Sequence, residues 1–242
     1  MFSFYKSNLM RLHIGLIIIF ITQSCAELQQ ISEEISNSGI LTEEQIGDGL
    51  KEALTKGIRE EVTKLTQEDG FYSNPMVKIE LPSELETVEN ILQKVGLESL
   101  TEQGIRALNK TAEEAVKEAT PLFIAAIKDL TFEESKAILL GSPSAATDYL
   151  KSKTENELYL KFQPVVAANF KKVGADQIWE TTIQRYNQIP LTKEVNPDLT
   201  DYVTSQALKG VYKMIEMEEI EIRNNINERS SLLLKRVFAL QD

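Results

Sequence analysis

From Thr42 to Phe238, apolar residues return every three or four positions, and any fold of this chain must satisfy that period. It is plainest in Ile46, Leu50, Leu54, Ile58, Val62 and Leu65. These follow Thr42 and Gln45, which have capping-box spacing, and Asp69-Gly70 closes the run. Leu85, Val88, Leu92 and Val95 lead to Gly96, and a helix over about 101–119 turns Leu108, Ala112, Ala115 and Val116 inward. Pro121 suits the first turn of the apolar segment that follows it. Thr131 with Glu134, and Thr154 with Glu157, repeat the capping-box spacing, while Gly141 closes one short helix and Ser144 caps the next. Pro164 predicts a kink or break within 155–173. Trp179, Ile183 and Tyr186 line a helix ended by Pro190, and Asn196-Pro197 opens a long one reaching about Asn225. A last amphipathic helix carries Leu232, Leu233, Val237 and Phe238.

Residues 71–82, "FYSNPMVKIELP", depart from this pattern. Asn74-Pro75 signals a turn, and Val77, Ile79 and Leu81 alternate with Lys78 and Glu80, so this is the one plausible strand, and at most one short β arm or hairpin is expected near 76–81. No linker rich in Gly, Ser or Pro divides the body and no fixed-period repeat is present. The expected fold is all-α, a single multi-helix domain over residues 41–240.

The front of the chain is of a different kind. Residues 1–13 hold Lys6 and Arg11 and no acid, and an apolar stretch from Leu12 to Ile21 follows. That is the order of a secretory signal, and the run is shorter than the ~20 apolar residues a spanning helix needs. It ends Thr22-Gln23-Ser24-Cys25, with a small residue directly before the only cysteine. The arrangement resembles a bacterial lipobox, although the usual Leu three places before the cysteine is Thr22, with Ile21 one place further back. The expectation is a lipoprotein-type signal over 1–24 and lipidation of Cys25, the competing reading being an incidental cysteine near an ordinary cleavage site. Several acyl chains on one residue suffice for stable membrane attachment. Residue 26 is Ala rather than the Asp that retains many lipoproteins at the inner membrane, which favours the periplasmic face of the outer membrane. Residues 25–40 are polar and read as a tether.

Loss of residues 1–24 leaves 24 basic against 37 acidic residues, a net charge of about −13. So acidic a body argues against nucleic acid as a partner. His13, the only histidine, leaves with the signal. Without imidazole and without a free thiol, Ser-His-Asp and Cys-His catalysis are unavailable, and zinc or iron sites lose their usual ligands. No cofactor and no metal site is expected. Nor can an internal disulfide form, so the fold must rest on its apolar core.

Four stretches in order, "DGFYSNPMVKIELP" (69–82), "AAIKDLTFEESKAILLGSPSAATDYL" (125–150), "ALKGVYKMIEMEEIEIR" (207–223) and "RSSLLLKRVF" (229–238), resemble the bacterial domain-of-unknown-function family 4197. The resemblance spans roughly residues 41–238 and implies an exported, mostly helical protein with no assigned activity. Family members often carry Asn-Pro after the Ile-Arg, where this chain has Asn225-Ile226.

The densest charged feature is Glu218, Glu219 and Arg223, with Arg229 nearby. It reads either as a polar pocket gripping a ligand or partner, or as an interhelical salt bridge, since Glu219 and Arg223 are four apart on one helix face. Adjacent carboxylates can act as acid and base, but helical neighbours point ~100° apart and need a third group to converge. Tyr72 and Asn74 in "DGFYSN" are donors for a binding loop, or parts of a loop that packs down. "GSPSAAT" (141–147) could receive an anion at a helix start, yet lacks the lysine of a phosphate loop and reads more simply as a helix junction. The Glu clusters at 43–44, 60–61 and 113–114 read as solvated faces.

Three functions follow as expectations. The first is a membrane-anchored, non-catalytic lipoprotein that binds an envelope protein or an apolar ligand. The second is a carboxylate-dependent hydrolase of an envelope polymer, which needs only two facing carboxylates. The third is a structural role in envelope assembly.

Overall fold

A computed structural model describes residues 41–86, 89–90, 98–172, 177, 179–180, 183–184, 187 and 198–241. The expected signal, Cys25 and the expected tether lie outside these residues, as do most of the helix expected over 85–95 and the end of the one expected at Pro190. Residues 43–242 form one compact unit. Its described helices are α1 (Glu43–Leu65), α2 (Glu98–Val116), α3 (Ala119–Lys128), α4 (Phe132–Leu139), α5 (Ala145–Lys172), α6 (Thr200–Asn224) and α7 (Leu232–Phe238), with 3₁₀ turns at Ser83–Leu85 and Ile226–Glu228. The chain is all-α, as its apolar period predicts.

α6 is the hub. It packs against α5 along most of its length and also against α1 and α2, while α1 in turn carries α3, α4 and α7. Val203, Ala207, Val211 and Ile215 bury one stripe of α6; Leu50, Ile58, Val62 and Leu65 bury one stripe of α1. Gly210 lets Phe71 lie on the α6 backbone, because a Cβ there would stand 2.8 Å from the Phe71 ring. Burying a Phe or Leu side chain is worth about 1.5–3 kcal/mol, so these stripes are what organises the domain.

The expected strand is the first correction. Residues 71–77 are mostly turns and 78–82 are irregular, with no strand among the described residues. The arm is held by Asn109 of α2, fully buried, whose side-chain amide accepts from the Ile79 N–H and donates to the Ile79 carbonyl, both at 2.8 Å. One amide thus satisfies both buried backbone groups that a neighbouring strand would have satisfied. Val77 and Ile79 point into the core as the alternation requires.

Two further corrections concern α5. It runs unbroken through Pro164. The N–H that proline lacks would have bonded the Leu160 carbonyl, and both residues are on the solvent side, where water can replace the bond. Thr154 starts no helix either. It is buried within α5, where its hydroxyl bonds the Leu150 carbonyl and the Tyr212 hydroxyl. By contrast, Thr131 and Glu134 form a complete capping box at the start of α4, and Ser231 caps α7. On α7 the buried residues are Leu234, Val237 and Phe238, and Leu232 faces outward.

Candidate functional site

The charged cluster of α6 is built around helix ends. Glu219 and Arg223, both nearly buried, meet at 2.7 Å across one turn. Glu219 then turns to the start of α5. Its Oε1 accepts from the Ala146 N–H and its Oε2 from the Thr147 N–H, each at 2.9 Å, and the Thr147 hydroxyl adds a third bond at 2.8 Å. Arg223 turns to the end of α4, donating to the Leu139 carbonyl at 3.0 Å and the Ile138 carbonyl at 2.9 Å. A carboxylate sits on the first-turn N–H groups of one helix and a guanidinium on the last carbonyls of the preceding one, each matching the sign of the helix dipole it faces. The ion pair therefore clamps the "GSPS" junction, and the anion at that helix start is the protein's own Glu219.

Arg229 repeats the arrangement one helix later. Nearly fully buried, it donates to the carbonyls of Ile222 (3.1 Å) and Arg223 (2.8 Å), the last turn of α6, and its guanidinium lies 5.7 Å from the Phe238 ring centre. Glu219, Arg223 and Arg229 are thus brought together, as their spacing implies, and their hydrogen-bonding capacity is directed at backbone.

Glu218 points another way, toward α1. There it meets Glu61, which is only 2 % exposed, and Lys64, whose ammonium binds Glu61 Oε1 at 2.5 Å. Burial, and then repulsion from Glu61, hold the Glu218 carboxyl above its ordinary range. Beside it lies a cavity of about 20 Å³, lined mainly by Leu50, Ala53, Leu54, Ile215, Ile222 and Phe238. That is room for one water, so an apolar ligand would have to part α1 from its neighbours.

Tyr72 and Asn74 lie elsewhere. The Tyr72 ring is flanked by Arg106 at 3.9 Å and Lys78 at 4.9 Å, and its hydroxyl donates to Glu102. Asn74 accepts from the Met76 N–H at 3.0 Å, the bond of an Asx turn, and its amide touches the Met214 sulfur at 3.5 Å. The loop folds down onto α2 and α6.

The Glu clusters at 60–61 and 113–114 need correction. Glu60 faces solvent and Glu114 is half-buried, whereas Glu61 and Glu113 are buried and each leaves one carboxylate oxygen without a hydrogen bond. The reason is the ~100° between helical neighbours, which sends one of two adjacent residues inward. Burial pushes the Glu113 carboxyl up, against the pull of Lys110.

One surface feature was not singled out from sequence: an open groove of about 630 Å³ between α5 and α6. Ser144, Thr147, Asp148, Lys151, Glu155 and Tyr159 form one wall, and Ser205, Lys209, Tyr212, Lys213 and Glu216 the other. Tyr212 is fixed edge-on by Phe123 at 5.7 Å, and its hydroxyl bonds Thr154 at 2.8 Å. Burial pushes that phenol up to about 12, so it remains protonated at neutral pH. Asp148 accepts from the Ser144 hydroxyl at 3.1 Å, Glu155 lies 3.8 Å from Lys151, and Glu216 lies 2.9 Å from Lys213. The sequence signal was a polar stripe at three- and four-residue spacing, which every solvated helix face shares. Among the described residues no group of three or more His, Cys, Asp or Glu is placed to hold a metal ion.

A family model described as protein of unknown function (DUF4197) matches residues 40–239. The chain belongs to this family. No curated protein and no solved structure matches it. The match spans every described helix from α1 to α7, so both the helix-end clamp and the α5–α6 groove lie within the DUF4197 region.

Proposed function

We propose that this DUF4197 protein is a lipid-anchored, non-catalytic binding module of the bacterial cell envelope, with the α5–α6 groove as its ligand face. The observation that carries the reading is how the groove uses its charges. Its three carboxylates, Asp148, Glu155 and Glu216, each have a hydroxyl or ammonium partner, and its buried phenol is protonated. Such a surface offers hydrogen-bond donors and acceptors to a partner, with its carboxylates already engaged by neighbouring side chains. The anchor rests on Cys25 and the segment before it. Ala26 favours the periplasmic face of the outer membrane, and the polar tether over 25–40 gives the domain reach.

The hydrolase reading draws on carboxylates on both walls of the groove, which an inverting or retaining sugar hydrolase would require. Their partners weigh against it, because each of these carboxylates is already engaged by a neighbouring hydroxyl or ammonium.

The test is affinity capture from detergent-solubilised envelopes with full-length protein and a Lys209→Glu/Lys213→Glu variant of unchanged helicity. An envelope protein enriched by the native chain and depleted about tenfold or more by the variant, the scale of a lost charge-assisted contact, supports the groove. Equal enrichment by both chains, or no enriched protein and no co-purifying lipid, contradicts it.

A further inference from the structure

α1 packs on α6, and each helix brings to that seam one acid that interacts with the other, Glu61 from α1 and Glu218 from α6. Glu61 of α1 is 2 % exposed, and its Oε1 is tied to Lys64, while its Oε2 is buried with no hydrogen-bond donor. Glu218 of α6 packs directly on α1, so closely that a Cβ on Gly57 would stand 3.1 Å from its Cγ. No hydrogen bond or ion pair to Glu218 comes from the described residues. A buried acceptor without a donor is costly, and the neighbour across the seam can supply one only by taking up a proton.

We propose that Glu61 and Glu218 form an acid-responsive latch between α1 and α6. With Glu218 protonated, its hydroxyl donates to the orphan Glu61 Oε2 and the seam closes. With both carboxyls ionised, two like charges face each other in a half-buried, apolar setting and the seam loosens.

The surrounding charges favour proton uptake. From α1, Glu60 and Glu61 raise the proton affinity of Glu218 and Lys64 lowers it; from the 3₁₀ turn after α6, Glu228 raises it. Burial is the largest contribution and acts in the same direction. On the shared cavity wall, Glu219 and Arg223 neutralise each other at 2.7 Å. Lys64 is committed to Glu61, its ammonium bonded to Oε1 at 2.5 Å. Because the proton affinity of Glu218 is raised in the folded state, the latch is closed below the ordinary glutamate value of 4.5 and opens as pH rises through the folded-state value.

The test is amide hydrogen exchange over residues 54–62 of the intact chain between pH 5 and 8, with protection corrected for the intrinsic exchange rate. Protection should fall by on the order of tenfold across that range in the native chain, the scale of a local opening. Glu218→Gln and Glu61→Gln should each abolish that fall. The ¹³C carboxyl resonance of Glu218 in the native chain gives a second reading that needs no variant. Its midpoint should lie above the ordinary glutamate value. A midpoint at or below that value, pH-independent protection in the native chain, or a Glu218→Gln chain that keeps the native pH profile would each overturn the latch.

Discussion

At the scale of single residues, the deciding question is which charges are spent inside the protein. Glu219 offers both oxygens to α5 while holding Arg223, so its loss strands a buried guanidinium as well as two N–H groups. Glu219→Ala should therefore destabilise the domain by about 3–5 kcal/mol in urea unfolding, the range for breaking a buried pair from one side. A change below about 1 kcal/mol would mean that the clamp is solvated in solution. Glu113 makes the opposite prediction. Its proton is held more tightly in the folded chain than in the unfolded one, so its contribution favours folding below about pH 4.5 and is lost as pH rises through the folded value. Glu113→Gln should accordingly gain stability relative to the native chain at pH 7 and lose that advantage at pH 4. The sequence made Glu219 with Arg223 legible as a pair through their four-residue spacing. Glu61 was legible as an inward residue too, since it stands three residues after Ile58 and four before Leu65, on the buried stripe of α1, a spacing that the expectation of solvated Glu faces passed over.

Among the elements, helix period was the strongest signal, and it located α1, α2, α6 and the capped start of α4 directly. It failed where tertiary context replaced a local rule. Asn109, an unremarkable polar residue in α2, supplies the pairing that residues 78–82 lack as a strand. Asn109→Ala should cost about 2–4 kcal/mol by leaving an N–H and a carbonyl of Ile79 unsatisfied, and Asn109→Asp should not restore both bonds. Thr154 matches a capping box in sequence yet lies inside a longer helix, because the neighbouring Tyr212 gives its hydroxyl a second partner there. Pro164 is likewise absorbed by a helix whose solvent side can hydrate the freed carbonyl. Pro164→Ala should raise stability by about 1–3 kcal/mol, measured by thermal or urea unfolding, since an interior proline costs about 3 kcal/mol relative to alanine. An unchanged or lowered stability would show that α5 needs the proline for its packing on α6.

For the whole molecule, sequence and structure divide the account between them. The domain over 43–242 contributes a helical body with a polar groove, and among its described residues no helix is long and apolar enough to cross a membrane. The groove escaped the sequence reading because it belongs to no single segment; antiparallel α5 and α6 create it only by packing together. The proposed anchor, conversely, rests on a dozen consecutive residues around Cys25. The central claim joins the two: a groove-bearing domain held at the envelope by lipid on that cysteine. Its most direct test is mass analysis of the N-terminal peptide of the protein purified from bacterial membranes, paired with fractionation of Cys25→Ser. The account predicts a mature chain that begins at Cys25 and carries a diacylglycerol and an N-acyl chain, and a variant that leaves the membrane fraction. An unmodified terminus beginning elsewhere, or a Cys25→Ser chain that still sediments with membranes, would contradict it.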